Sequence, residues 1–441
     1  MAISTSAIDT AAIDAAAIDT PAIDTPAIST AGLRSPSSAA ARRAPAGTFH
    51  QRHPRLAMWA AAAIVAAVFV LSNAPTPLYM RWQAELGFSS STLAALFSIY
   101  VVGLLITLPI AGQCSDQLGC RRVLIPGIAA GMLACLLFAT ARSVALLLLA
   151  RFVSGISVAA AIGAGLSWVV ELGGALRRRN AAQLASVALV LGASLGPLLG
   201  GWFALTRDES TRAVFWTELA LLAGAGALAM TLPPGRTPRL PGASGAWRLR
   251  FPSVCRDSRL HVALGASLFG CAMSCTAFVL SLGPSVLARS TGVDSPLVAG
   301  GMACAMFMTA TLAQVPAGKL TVRRIFALSA LSIVVAMACL VTAVAAASPA
   351  ALLSGAILAG AAHGLAQLAG LTLIAVHVSE GQRAQATALL NIGGYIPCGL
   401  MPVMVGVLVD HGGFTVAITG FALCITLATT AAWLFVSSYF R

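Results

Sequence analysis

Twelve long apolar stretches, divided six and six by a basic, proline-rich segment, leave this chain few folds to choose from. They run over Leu56–Leu78, Thr92–Ala111, Val123–Ala141, Val144–Leu172, Ala181–Leu205, Ala213–Leu232, Leu260–Leu282, Ser295–Ala317, Ile325–Ala346, Ala350–Val376, Ala384–Val409 and Phe414–Phe435. We number them spans 1 to 12. Each is close to the roughly 20 residues that a helix needs to cross the hydrocarbon core at ~1.5 Å per residue. A helix satisfies its own backbone donors and acceptors, which lipid cannot do for it. The expected fold class is an all-α membrane protein with 12 transmembrane helices in two six-helix, pseudo-symmetric bundles.

Composition agrees. The chain is 58% hydrophobic and 9% charged, against roughly 25% charged for soluble domains. A water-soluble fold of 441 residues is excluded. The net charge of +13 would suit nucleic acid, but its placement argues for a bilayer instead. With a cytoplasmic amino terminus, 21 of the 27 Lys+Arg fall in the tail and inner loops. Five fall in outer loops (Arg81, Arg142, Arg207, Arg212, Arg289) and one, Arg151, within a span. This is the positive-inside pattern, and it predicts both termini in the cytoplasm and no nucleic-acid partner. The Ala-, Gly- and Arg-rich composition suggests a GC-rich bacterial genome, hence a bacterial inner membrane.

The ten cysteines show no paired spacing. Cys271 and Cys275 lie one turn apart in an apolar stretch, and Cys114 and Cys120 flank an inner loop. Without a Cys/His partner set they make no metal site, so they read as small hydrophobes. Neither metal nor cofactor is expected.

Four regions follow. Residues 1–55 begin with a five-residue repeat (AIDTA, AIDAA, AIDTP, AIDTP, AISTA over 7–31) and become Arg-, Ser- and Pro-rich. Isolated Ile residues at a spacing of five match neither helix nor strand periodicity, so a disordered cytoplasmic tail is expected rather than a secretory signal. Spans 1–6 form a bundle over 56–232, and spans 7–12 a second over 260–437. The linker 233–259 carries Pro233, Pro234, Pro238, Pro241 and six arginines.

Matching marks recur after the second span of each half: Gly112-Gln113-Cys114-Ser115-Asp116-Gln117-Leu118-Gly119-Cys120-Arg121-Arg122, and Gly318-Lys319-Leu320-Thr321-Val322-Arg323-Arg324. Halves repeated along the membrane normal point to a transporter with its site between them at mid-depth. Here the residues resemble the major facilitator superfamily, over roughly 380 of the 441 positions. The first mark is similar to that family's G-x-L-[AS]-D-R-x-G-R-[RK] loop at Gly112, Ser115, Asp116, Gly119 and Arg121. It departs at Cys114, Gln117 and Cys120. The resemblance implies a loop that locks the outward-facing state through charge pairs of the Asp, weakened here by two missing arginines.

Residues 192–201, GASLGPLLGG, match the family's G-x-x-x-G-P-x-x-G-G motif at Gly192, Gly196, Pro197, Gly200 and Gly201. Glycines at i, i+4 and i+8 line one face for close helix approach, and Pro197 bends the helix. The resemblance implies an antiporter, often an exporter of drugs or metabolites. Span 4 resembles the R-x-x-x-G element at Arg151 and Gly155. An arginine seven residues into an apolar helix costs at least ~2.5 kcal/mol. It is expected to face the bundle or a wet cavity, or to bond a neighbour's carbonyl or hydroxyl.

Proton coupling needs a titratable group within the barrier. Span 1 has no acid; it offers Asn73, then Pro75 and Pro77, which end or kink the helix near Tyr79. The titratable candidates are Glu218, five residues into span 6, Glu171, Asp116 and His363. His363, thirteen residues into span 10, lies ~20 Å down and titrates near physiological pH when unperturbed. It also reads as a packed residue bonded to a hydroxyl or carbonyl. Gln367 shares its face one turn on, and Asn391 and Tyr395 form a second polar pair in span 11. Such pairs bind substrate or simply join helices.

Two enzyme readings fail. Gly192–Gly196 also satisfies G-x-S-x-G, but within an apolar helix rather than a strand-to-helix elbow. The single lysine, Lys319, precedes Leu320, so no nucleotide-binding loop exists. The sequence therefore predicts a non-enzymatic, monomeric secondary transporter. Its partners are a small-molecule substrate, protons and the lipid bilayer. Export of a small amphipathic compound by proton exchange is favoured. Import of a neutral metabolite is the first alternative, and a non-transporting sensor or scaffold that uses the tail is the second.

Overall fold

The computed structural model describes residues 54–206, 210–235, 254–292, 295–379 and 382–439. The repeat-bearing tail and most of the 233–259 linker lie outside them, and the expectations for both concern undescribed residues. Twelve helices are long and apolar enough to cross a membrane: Arg55–Leu86, Ser90–Leu118, Cys120–Ala139, Val144–Gly173, Arg178–Leu205, Arg212–Thr231, Ser258–Ser281, Pro296–Ala317, Val322–Ala345, Pro349–His377, Gln385–Gly412 and Phe414–Ser438.

Their ends follow local chemistry. Ser89, Ser143 and Ser348 accept the amides of Thr92, Leu146 and Ala351 at 3.2–3.3 Å, capping spans 2, 4 and 10. Pro296 and Pro349 occupy first-turn positions, where the missing N–H costs nothing. Gly119 ends span 2 with φ +89° and Gly413 ends span 11 with φ +88°, a region that side chains with a Cβ avoid.

Two helices are interrupted. In span 1, Pro54–Asn73 stops before Pro75, passes through a 3-10 turn at Thr76–Leu78 and resumes over Tyr79–Leu86. The span therefore runs eight residues past the expected Leu78, because a proline that ends one helix is tolerated at the start of the next. Span 4 contains a π turn at Ala161–Gly165. Span 2 also outruns the expected Ala111, to Leu118, since its polar end packs on that π turn. The Ser115 hydroxyl is shared there between the carbonyls of Gly112 (2.8 Å) and Gly163 (3.2 Å).

We call the side carrying Arg121, Arg122, Arg178, Arg179 and Lys319 the basic face, and the other side the opposite face. Within each half, helices that run the same way meet through glycine. A Cβ at Gly192, Gly196 or Gly200 would overlap the carbonyls of Ala66, Val70 and Ala74 in turn, so spans 1 and 5 touch backbone to backbone over three successive turns. Gly103 meets the Phe152 carbonyl while Gly155 meets that of Tyr100, which joins spans 2 and 4 reciprocally. In the second half, Gly360 and Gly364 rest on the carbonyls of Met306 and Ala310, joining spans 8 and 10.

The halves meet through two antiparallel pairs. Gly201 lies on the Pro296 carbonyl and Gly300 on that of Pro197, joining spans 5 and 8. Gly406 lies on the Ser90 carbonyl and Gly399 on the Val101 side chain, joining spans 2 and 11. Three of these four approaches lie toward the opposite face, and Gly399 lies near mid-depth. Toward the basic face, Gly112 has no neighbour for a Cβ.

The packing predicts that Gly196→Leu, which drives a side chain into the Val70 carbonyl, destabilises the fold by at least ~1–3 kcal/mol. Gly224→Ala, where a Cβ meets nothing within 4 Å, is neutral or stabilising by up to ~1 kcal/mol. Thermal unfolding in detergent compares them.

Candidate functional site

The centre of the first half is built around Arg151. Its guanidinium is 1% exposed, held where the break in span 1 leaves carbonyls without intrahelical donors. Nη1 donates to the Ser72 carbonyl at 2.7 Å, and Nε donates to the Tyr79 hydroxyl. Ser72 lies in the last turn of the Pro54–Asn73 helix, where carbonyls are not met within the helix. A cation at that C-terminal end also complements the helix dipole. The guanidinium carbon stands 5.1 Å from the Tyr79 ring centroid and 5.7 Å from that of Tyr100. Nη2 is buried with no partner. Asn73 is buried beside this network and donates to the Ser72 hydroxyl at 2.9 Å.

Tyr100 extends the arrangement to the other half. It is half-buried on span 2, within electrostatic reach of Tyr395 and Cys398 on span 11. The neighbouring Ser98 hydroxyl donates to the Gly399 carbonyl across the same seam. Three of the chain's four tyrosines thus gather around one buried cation and the seam beside it.

His363 is half-buried on span 10. Its Nδ1 shares a 3.1 Å hydrogen bond with the Thr276 hydroxyl of span 7, and its ring meets Phe269 edge-on at 5.7 Å. Gln367, one turn on, and Asn391 on span 11 are also half-buried. Glu218 stands apart. It is 2% exposed, and its Oε2 has no hydrogen-bond partner. Span 6 is helical from Ser210, so Glu218 lies eight residues in rather than five, ~12 Å from that end. Among acidic residues whose burial is described, Glu218 alone is buried; Glu85, Asp116, Glu171 and Asp410 are exposed.

The loop residues after span 2 divide. Gly163 on span 4 lets the backbone at Ala111 and Gly112 come close, a Cβ at Gly112 itself would meet nothing, and Gly119 supplies the positive-φ turn. Arg121 donates to the carbonyls of Met230 (2.8 Å) and Leu232 (3.3 Å), closing the end of span 6. Arg122 and Asp116 are exposed, and neither enters the described ion pair, Arg81–Glu85. Ser194 of the elbow-like pattern spends its hydroxyl on the Val190 carbonyl one turn back.

Sequence reasoning missed Tyr79 and Tyr100 as partners of Arg151, and Thr276 as the partner of His363. It also missed Gly103, Gly300, Gly360, Gly364 and Gly406 as contact points. A signal for the last group was present: Gly360 and Gly364 repeat the four-residue glycine spacing of span 5.

Twelve helices long and apolar enough to cross a membrane, halves joined by two antiparallel seams and a polar cluster at mid-depth define a multi-pass membrane protein. The model of the Major Facilitator Superfamily matches residues 57–320 and 263–441. The chain belongs to that superfamily. Among curated relatives, Multidrug resistance protein MdtL of Escherichia coli O81 (strain ED1a) is 29% identical over 190 residues, 40% of this chain and 46% of its own. Multidrug resistance protein 2 of Bacillus subtilis (strain 168) is 27% identical over 128 residues, 29% of this chain and 32% of its own. The chain spans between a third and a half of these relatives' length. Among solved structures, a single-residue mutant of the nucleoside transporter NupG superposes with a TM-score of 0.69 at 15% identity, over 85% of this chain and 99% of its own. A bacterial homolog of the human lysosomal transporter Spinster, inward-facing and unoccupied, gives 0.69 at 16% identity, over 88% and 97%. These two likenesses concern the fold.

Arg151→Lys keeps the charge but loses the fork that reaches Ser72 and Tyr79 together. We expect a loss of roughly 1.5–3 kcal/mol per charged hydrogen bond broken and a strongly reduced transport rate. Near-parental stability and rate would remove Arg151 as the organising residue.

Proposed function

We propose that this transporter exports a small, uncharged amphipathic drug or metabolite across a bacterial inner membrane in exchange for protons. The two six-helix halves, 56–232 and 260–437, would rock about a site at their seam, with both termini and the basic face in the cytoplasm. The single observation that carries the reading is the chemistry of the half-buried side chains at mid-depth. Tyr100, His363, Gln367, Asn391 and Tyr395 offer hydroxyl, imidazole and amide groups but no carboxylate. A lipophilic cation would call for an exposed acid in that region. A dicarboxylate would call for accessible basic groups, whereas Arg151 is shielded behind its tyrosines. Aromatic and amide groups suit an uncharged, hydrogen-bonding, partly apolar compound. The direction rests on the span 5 glycine–proline motif and on the curated relatives whose names are multidrug resistance proteins.

Glu218 is our choice for the coupled proton. It is a buried acid with an oxygen left without a partner. A carboxyl without a counter-ion in a low-dielectric interior changes its proton affinity when water reaches it. That change is what exchange of substrate for proton requires.

Cells that make the protein should accumulate less of an uncharged amphipathic solute than cells that lack it, and an uncoupler should erase the difference. Equal accumulation, together with growth loss on one carbon or nitrogen source, would establish import instead. In proteoliposomes, Glu218→Gln should retain solute counterflow yet no longer respond to an imposed pH gradient. If Glu218→Gln still responds and His363→Ala does not, the proton travels on His363.

A further inference from the structure

Span 2 begins at the opposite face, where the first-turn amides of Ser90, Ser91 and Thr92 have no carbonyl to meet within the helix. Each has a partner. Thr92 donates to the Ser89 hydroxyl at 3.2 Å, just ahead of the first ordinary helical bond, from Leu93 to the Ser89 carbonyl at 3.0 Å. The remaining two are served from the other half of the molecule. Ser90 donates to Asp410 Oδ1 at 3.0 Å and Ser91 to Asp410 Oδ2 at 2.9 Å. One turn before Asp410, Gly406 brings span 11 onto the Ser90 carbonyl, closely enough for the carboxylate to reach both amides.

We propose that Asp410 is a latch between the halves, which stabilises the state closed at the opposite face. A carboxylate on two amides at a helix N-terminus makes charge-assisted hydrogen bonds and meets the positive end of the helix dipole. Water or a local serine would serve the amides equally well for folding, so the chain does not need Asp410 to build span 2. What the acid adds is a bond between parts that separate when this face opens. An interaction present in one state and absent from the other biases the equilibrium by its full strength.

The far end of the same helix pair supports this. Spans 2 and 11 lie antiparallel, and each ends in D-x-x-G: Asp116-Gln117-Leu118-Gly119 and Asp410-His411-Gly412-Gly413. In both, the acid precedes the last helical residue by two, and the closing glycine has nearly the same backbone angles, φ 89° and ψ 149° against φ 88° and ψ 155°. In this structure Asp410 is engaged, while Asp116 is exposed and outside the described ion pair. The two ends are matched in geometry and opposite in occupancy.

The proposal rests on the two halves rocking, but not on substrate or coupling, so its test reads conformation alone. Spin labels at Glu85→Cys and Val298→Cys, both exposed, one in each half near the opposite face, report the gap there. They are placed in the full chain with the exposed Cys255 and Cys424 replaced by serine. Asp410→Ala and Asp410→Asn should raise the ratio of separated to closed populations at least about tenfold, the effect of losing one charged hydrogen bond at the low end of its strength. Asp410→Glu should restore the parental ratio. Ser90→Pro removes one of the two donors at a helix position where proline is well tolerated. It should shift the ratio the same way and fail to add to Asp410→Ala. Unchanged distances in the variants that fold would overturn the latch. Failure of Asp410→Ala, Asp410→Asn and Ser90→Pro all to fold would overturn it equally, because a latch is dispensable for folding.

Discussion

Helices in this protein approach one another through carbonyl oxygens seated over glycines, and the rest of the architecture depends on those contacts. Lipid tails are as apolar as leucine, so the bilayer offers no hydrophobic drive to pair one helix with another. Association has to come from dispersion, weak Cα–H···O contacts and hydrogen bonds that form only at short range. The ladder of Gly192, Gly196 and Gly200 over Ala66, Val70 and Ala74 supplies them at every turn and fixes register as well as partner. The same device recurs between spans 2 and 4 and between spans 8 and 10, and at both seams. One chemistry therefore serves two purposes. Long ladders hold each half together, and the seams between the halves use isolated points of the same kind.

The polar centre follows from a local failure of helical structure. Two prolines stop the first helix and strand the Ser72 carbonyl inside the bundle. A buried cation is costly unless its donors are met. The Ser72 carbonyl meets Arg151 Nη1 and Tyr79, just beyond the break, meets Nε, while Nη2 stays without a hydrogen-bond partner. The Tyr100 ring lies 5.7 Å from the guanidinium carbon, with Tyr395 and Cys398 of the other half within its electrostatic reach. What reaches the proposed substrate region is therefore aromatic and neutral in character, although a full positive charge lies directly behind it.

Much of this was legible in the sequence. Twelve spans, the six-and-six division and the span 5 motif follow from apolar length and glycine spacing, which act locally. Burial of Arg151 follows from the cost of charge in lipid, and its bonding to a carbonyl and a hydroxyl was one of the two outcomes that cost allowed. The rest depends on which helices become neighbours. Gly360 and Gly364 carry the right spacing but no recognised motif, and nothing in the chain says that span 8 lies beneath them. Asp410 carries no local signal of its role, because its partners are 319 and 320 positions away. The extension of span 2 through Ser115 and Asp116 was hidden because those residues are polar, and their helical state comes from span 4 rather than from hydropathy. Expectations for the amino-terminal repeat concern residues outside the described structure.

One arrangement bears on how such a molecule flexes. Trp82, on the short helix after the break in span 1, stacks on Phe138 of span 3 at 5.9 Å and on Phe215 of span 6 at 6.0 Å, and those two stack on each other at 4.8 Å. Without this three-ring clamp the interrupted helix would be a natural elbow. With it, the stub is tied to the periphery of its own bundle, and bending at the prolines is suppressed. On the proposed rocking motion, displacement is then left to the borders between bundles, and the first six helices would travel as a block.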